Sequence, residues 1–184
     1  MSLTIDRAEK GYGYGQVSVV RAAWGETARI FAQLPCDEKI TKLENGMFVK
    51  YDRQLGVTTS EDSLAEWVMV LNEERLFERD TVGHRETKKD FVYDAEDFFD
   101  GKIYPRCVGT TNNDTLIMNT VASDTYAVGD YLHPVVPSTE GWVGGAILTK
   151  MSAEVTAADK EVWKVVQEDF LPDGHKALRL QKIQ

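Results

Sequence analysis

The clearest hairpin pattern in the chain lies between Lys39 and Asp52, K-I-T-K-L-E-N-G-M-F-V-K-Y-D, where apolar positions flank an Asn-Gly step on both sides. A three-residue loop Glu44-Asn45-Gly46, with Gly46 in the left-handed conformation, predicts a β-hairpin. In that register Thr41 and Leu43 share a face with Met47, Val49 and Tyr51. A two-residue Asn-Gly loop would instead set Lys42 beside Val49 and Glu44 beside Met47, so binary patterning selects the longer loop.

The rest of the chain repeats this punctuation. Val17 to Ala23 is a short apolar run closed by Trp24-Gly25. Glu66 to Leu71, E-W-V-M-V-L, is too short for a stable helix and reads as a buried strand. Asn72 to Asp90 holds few large apolar residues among many charges and reads as a long crossing loop. Phe91–Tyr93 and Lys102–Val108 are strand candidates flanking an acidic loop, Asp94 to Gly101, with Phe98 and Phe99 folded inward. The turn cluster 110–114 leads into a β-rich run, Thr115 to Val121. Tyr126 to Leu132 reads as a turn feeding a strand that Pro134 and Pro137 stop or push to a sheet edge.

Trp142 to Lys150 supplies a further strand, whose Gly144-Gly145 pair permits a bulge or a close backbone approach. Thr156 and Asp159 carry the signature of a helix N-cap, so one short helical turn is expected there. Glu161 to Asp169 is β-branched enough for a strand. Pro172-Asp173-Gly174 then offers a last hairpin loop, placing Phe170 and Val166 on one face with Leu178 and Leu180. No internal repeat emerges. These elements predict a mainly β protein, a single β-sandwich or barrel-like domain over 17–184 with at most short helices. Residues 1–16, ending in Gly11-Tyr12-Gly13-Tyr14-Gly15, have too much backbone freedom for a regular element and read as an extended N-terminal arm anchored by its two tyrosines.

Composition adjusts this picture in two places. The 184 residues, 42% hydrophobic and 28% charged, are enough for one buried core and argue against wholesale disorder. A formal charge of -9 without a basic stripe argues against phosphate-driven nucleic-acid binding. Residues 73–100 hold ten acids against five bases and so supply more than half of that excess, as a solvated acidic face. No apolar run has the length of a membrane span, and the first residues lack the apolar core of a secretion signal.

Candidate chemistry is sparse. Cys36 and Cys107 stand far apart, outside any C-x-x-C arrangement, and read as buried thiols, with a disulfide between them left open. His84, His133 and His175 have no metal-ligand spacing with one another or with the cysteines. Asp94, Glu96, Asp97 and Asp100, followed by Gly101, could offer oxygens to a hard cation, but their spacing is not that of an EF-hand, and no metal site is expected. G-x-S-x-G and the P-loop are both missing, and the Gly-Tyr tract ends in Gln16 where a dinucleotide fingerprint needs glycine. Scattered carboxylates leave a hydrolase conceivable, yet the chain reads as non-enzymatic, with no catalytic residue and no cofactor. Trp24, Trp67, Trp142 and Trp163 each fall in or beside a strand candidate and read as core anchors, with a glycan-stacking platform as the functional rival.

The Gly-Tyr tract at 11–15, the hairpin N-G-M-F-V-K-Y-D, the turn and strand G-D-Y-L at 129–132 and the closing P-D-G together resemble structural proteins of tailed-bacteriophage particles, most of all head decoration, or auxiliary capsid, proteins. The resemblance implies a β-rich domain without a cofactor, synthesis in the cytoplasm of an infected bacterium and residence on the virion. It also implies binding to the major capsid protein and to neighbouring copies, as a homo-oligomer or lattice-bound subunit, with no nucleic acid or membrane partner. The partner-binding residues expected on this basis are Tyr12 and Tyr14, with Gly11, Gly13 and Gly15 giving the tract its reach. Neck or tail structural proteins, and a glycan- or small-molecule-binding β-barrel, are the alternatives.

Overall fold

The computed structural model describes residues 2–7, 15–22, 30–31, 34–61, 65–72, 76–79, 85–88, 92–156, 159–171 and 174–184. Its strands, in chain order, are β1 (Ser2–Ile5), β2 (Val17–Arg21), β3 (Ile30–Phe31), β4 (Lys42–Glu44), β5 (Phe48–Asp52), β6 (Val57–Thr59), β7 (Trp67–Val70), β8 (Leu76–Arg79) and β9 (Arg85–Lys88). They continue with β10 (Val92–Asp94), β11 (Cys107–Val108), β12 (Thr115–Met118), β13 (Asp124–Ala127), β14 (Tyr131–Val135), β15 (Ile147–Lys150), β16 (Trp163–Phe170) and β17 (Lys176–Lys182). Among the described residues a single 3-10 turn, Ala95–Asp97, is the helical content, so the class is mainly β.

Two large antiparallel sheets make the sandwich. One has six strands in the order β15-β14-β16-β17-β12-β2, the other five in the order β3-β11-β7-β5-β6. Two-stranded pairs β1-β13, β4-β10 and β8-β9 accompany them, and among the described residues no closed barrel forms. The first core lies between the large sheets, where Phe48, Met69 and Val108 meet Leu116, Met118, Leu132, Leu148, Trp163, Val165, Leu178 and Leu180. The second lies on the opposite face of the five-stranded sheet, where Met47, Val49, Tyr51, Val68, Val70 and Cys107 are covered by Leu43, Tyr93, Ala95 and Ile103. A sheet covered on both sides has no solvent face, which is why W-V-M-V lacks alternation. Lys50 is buried in that sheet, with its ammonium 4.6 Å from the Trp67 ring centroid.

Gly145 joins the two large sheets. Phe48 and Ala146 exchange both backbone hydrogen bonds at 2.8 Å, and a Cβ on Gly145 would stand 2.8 Å from the Phe48 carbonyl oxygen. The Gly144-Gly145 pair is therefore a close backbone approach at the start of β15, and regular pairing begins only at Ile147.

Several sequence expectations are corrected. Gly46 is left-handed (φ +87°), but β4 and β5 do not pair: Met47 N donates to Glu44 O across a β-turn that carries the chain from the β4-β10 pair into the five-stranded sheet. Leu43, Met47, Val49 and Tyr51 nevertheless share the second core, while Thr41 is exposed. The crossing segment 72–90 contains the hairpin β8-β9, which pairs Leu76 with Lys88 and Arg79 with Arg85. Residues 157 and 158 of the helical turn expected at 156–159 lie outside the described residues; at its ends the Asp159 carboxylate accepts both Thr156 N (2.6 Å) and Oγ1 (2.8 Å), and Asp159 N donates back to Thr156 O at 3.2 Å. Pro134 lies inside β14, pairing with Leu148, and the ladder to β16 stops at Leu132 because proline has no N–H to extend it.

The final hairpin forms with Gly174 at φ +88°, and Leu171 N donates to His175 O; Pro172 and Asp173 lie outside the described residues. Its register carries a bulge between Val165 and Gln167, so Trp163 and Val165 face the core with Leu178 and Leu180. Val166, at the bulge, leaves that face and is half-buried, whereas Phe170, opposite Lys176, stays on the Leu178 face but is exposed at the strand end.

The N-terminal segment is corrected as well. Ser2–Ile5 pairs along its length with β13, from Ser2 opposite Ala127 to Ile5 opposite Asp124, and Ile5 is buried in the first core. Its described parts are therefore part of the sandwich, because Leu3 and Ile5 find apolar cover there.

Candidate functional site

Of the five residues expected to bind a partner, Gly11, Tyr12, Gly13 and Tyr14 lie outside the described residues. Gly15 is buried, and its N–H donates to Glu44 Oε2 at 2.9 Å. The same oxygen takes Arg7 Nη2 at 2.8 Å in a largely buried ion pair. An added Cβ at Gly15 would stand 2.4 Å from both Asn45 O and Thr120 Oγ1, which only glycine avoids. Next to it, Gln16 N donates to Asn119 Oδ1 (2.7 Å) and Thr120 Oγ1 to Asn45 O (2.6 Å). Asn72 N in turn donates to Asn45 Oδ1 at 2.8 Å. The residues flanking segment 8–14 are thus fixed on the Glu44-Gly46 turn by a buried polar seam.

The acidic loop does not gather its carboxylates. Asp94 Oδ1 caps Glu96 N (3.2 Å), and Asp94 Oδ2 lies 3.7 Å from Lys42 Nζ. Asp100 Oδ2 accepts the Tyr104 hydroxyl at 2.6 Å, a hydrogen bond that holds its carboxyl below the ordinary range. Among the described residues no group of three or more His, Cys, Asp or Glu is placed to hold a metal ion. The loop splits its aromatic pair: Phe98 packs between Tyr93 and Tyr104, with ring centroids 6.2 and 6.3 Å away, while Phe99 projects fully into solvent. The inward placement of Phe99 is thereby overturned: it sits in the turn closed by Gly101 N donating to Phe98 O at 3.0 Å, which carries its side chain outward.

The remaining candidates are absorbed by structure. Cys36 and Cys107 are free, buried thiols. Burial pushes both up, Cys107 to about 12, far from the thiolate a nucleophile needs. Glu161 is buried in the left-handed conformation (φ +58°), with Oε2 2.6 Å from Lys182 Nζ. Its Oε1 accepts Thr110 Oγ1 at 2.7 Å and Trp163 Nε1 at 3.0 Å. Burial pushes the Glu161 carboxyl up, and Lys182 with the two other donors pulls it back. Every strong donor and acceptor of this network is used internally. Trp163 lies in the first core against Phe48, Trp142 Nε1 donates to Gly145 O, and Trp67 lies beneath Lys50. Trp24 and His84 lie outside the described residues. His133 faces Thr149 across β14-β15.

A surface that sequence reasoning did not single out is the outer face of the six-stranded sheet. Residues opposed across a ladder share a face, so Arg21, Thr115, Gln181, Lys164 and Tyr131 form one row across five strands. Ser18, Ile117 and Arg179 form the next. None of these residues is buried. Lys164 Nζ lies 5.7 Å from the Tyr131 ring centroid, and Arg179 is bound by Asp169 at 2.8 Å. The period-two polar positions of K-A-L-R-L-Q-K carried this signal, but it marks a face only once strand order is known. No protein-family model, curated protein or solved structure matches this chain.

Proposed function

We propose that this protein is a non-enzymatic structural component of a tailed-phage virion, a decoration protein that binds the major capsid protein and braces the shell. The observation that carries the reading is the anchoring of Arg7 and Gly15 on one Glu44 oxygen. Arg7 and Gly15, on either side of segment 8–14, are both held on the sandwich, and on this reading the segment's Tyr12 and Tyr14 make the contact with a neighbour. Repetition of one such contact over a lattice converts modest affinity into stable occupancy. The buried ionisable groups described above serve the fold, in keeping with a protein that acts by contact. The reading places the chain on the virion, after synthesis in the host cytoplasm.

The test is occupancy on particles. Deleting residues 1–16 would strip β1 and Ile5 from the sandwich, so the informative variant is Tyr12→Ser with Tyr14→Ser. Particles assembled with this variant, imaged beside wild-type particles, are expected to lack the decoration while the purified variant keeps its thermal midpoint. Wild-type occupancy by the double variant would overturn the assignment of Tyr12 and Tyr14. Particles indistinguishable with and without the wild-type protein would overturn the function.

A further inference from the structure

Phe99 is wholly exposed, yet the loop that carries it is tied down. Asp94 caps the 3-10 turn, Phe98 N donates to Ala95 O, Gly101 N donates to Phe98 O, and the Tyr104 hydroxyl binds Asp100. A large apolar side chain held out on a pre-organised loop loses little freedom when a partner covers it, and aromatic residues of this kind dominate binding energy at interfaces. Glu96, Asp97 and Asp100 stand around it in sequence, so its receptor must offer apolar surface rimmed by positive charge. On this acidic chain the outer face of the six-stranded sheet has that chemistry: Ile117 is half-buried there, with Arg21 and Lys164 in the neighbouring row and Arg179, paired to Asp169, beside it.

We propose that the acidic Phe99 loop of one copy docks on the basic outer sheet face of a second copy. The two surfaces lie on opposite sides of the molecule. Tyr93, Ala95 and Ile103, which root the loop, cover the second core, whereas the outer face backs the first. A contact between different surfaces of identical chains is heterologous, and it propagates as a ring or an open array rather than closing as a two-fold dimer. Opposite charge at the rim sets orientation and on-rate, while Phe99 against Ile117 supplies the apolar centre. This contact extends the proposed lattice role without depending on it, because it forms between isolated copies.

Sedimentation velocity of the full chain over a concentration series, at low and high salt, tests the contact with no capsid present. Wild-type protein is expected to assemble beyond dimers at low salt and to dissociate as salt screens the rim. Phe99→Ser and Lys164→Glu are each expected to weaken assembly about tenfold or more, at unchanged thermal midpoint because both side chains lie on the surface. The charge-exchanged pair Asp97→Lys with Lys164→Glu is expected to recover part of the loss. A wild-type protein that stays monomeric at low salt, assembly indifferent to Phe99→Ser, or an exchanged pair no better than Lys164→Glu would each overturn the proposal. Failure here leaves the particle-occupancy test of the capsid reading untouched.

Discussion

Arg7 Nη2 and Gly15 N converge on a single carboxylate oxygen, Glu44 Oε2, at 2.8 and 2.9 Å. One side chain therefore fastens β1 and the entry to β2 to the turn between β4 and β5, joining segments that no ladder connects. The ion pair is largely buried, so its loss leaves a guanidinium with reduced access to water.

Replacing Glu44 with alanine is expected to lower stability by roughly 2–3 kcal/mol, the range for a lost hydrogen bond to a charged group with a buried partner left behind. Glu44→Gln, which keeps an acceptor for Gly15 N, should cost less. Gly15→Ala should also destabilise, by about 1–3 kcal/mol, since its Cβ has no room beside Asn45 O and Thr120 Oγ1. Urea denaturation curves with equal slopes measure all three. Equal midpoints for Glu44→Ala and wild type would show that the seam does not hold the N-terminal segment.

The sequence made faces legible but not partners. Leu43, Met47, Val49 and Tyr51 were recognisable as one apolar face because alternation is local, and Gly46 was recognisable as left-handed because a turn is local. The partners of β4 and β5 are not local: β4 pairs with β10, and β5 lies between β6 and β7. A tight turn looks the same whether it closes a hairpin or crosses between sheets. The bulge after Val165 was equally hidden, since it depends on Val165 exchanging backbone hydrogen bonds with the Gly129-Asp130 turn. Of the candidate interface, the Gly-Tyr tract was visible as composition. The outer sheet face was not, because Arg21, Ile117, Arg179 and Lys164 become neighbours only through the order β2-β12-β17-β16.

Lys182 was unremarkable in the sequence, a charge near the end of the last strand, and it is buried against Glu161. Holding Glu161 left-handed costs on the order of 1–2 kcal/mol, which its three side-chain partners offset. Lys182→Met should destabilise by about 3–5 kcal/mol by leaving an uncompensated buried carboxylate, and adding Glu161→Gln should restore much of that loss. A double-mutant cycle read by chemical denaturation isolates the coupling. A single-variant cost below about 1 kcal/mol would show that the buried pair contributes little more than an exposed one.

The turn between β13 and β14 gives the chain an acid-side dependence. Asp130 Oδ2 accepts Ala127 N at 2.8 Å and Lys150 Nζ at 2.7 Å. Burial acts to raise the Asp130 carboxyl, and these partners outweigh it, so its folded-state value lies below the ordinary 3.8. Above 3.8 both folded and unfolded chains carry the carboxylate, and the stabilisation is present in full. As pH falls through that value the unfolded chain takes up its proton first, and the contribution is lost as pH drops through the folded-state value. The stability difference between wild type and Asp130→Asn should therefore be flat at neutral pH and should shrink below pH 3.8. Urea midpoints of the two proteins measured in parallel down the acid limb cancel the other carboxylates. A difference that holds constant through that limb would show that the charge on Asp130 plays no part, leaving only the geometry of the turn, which asparagine reproduces.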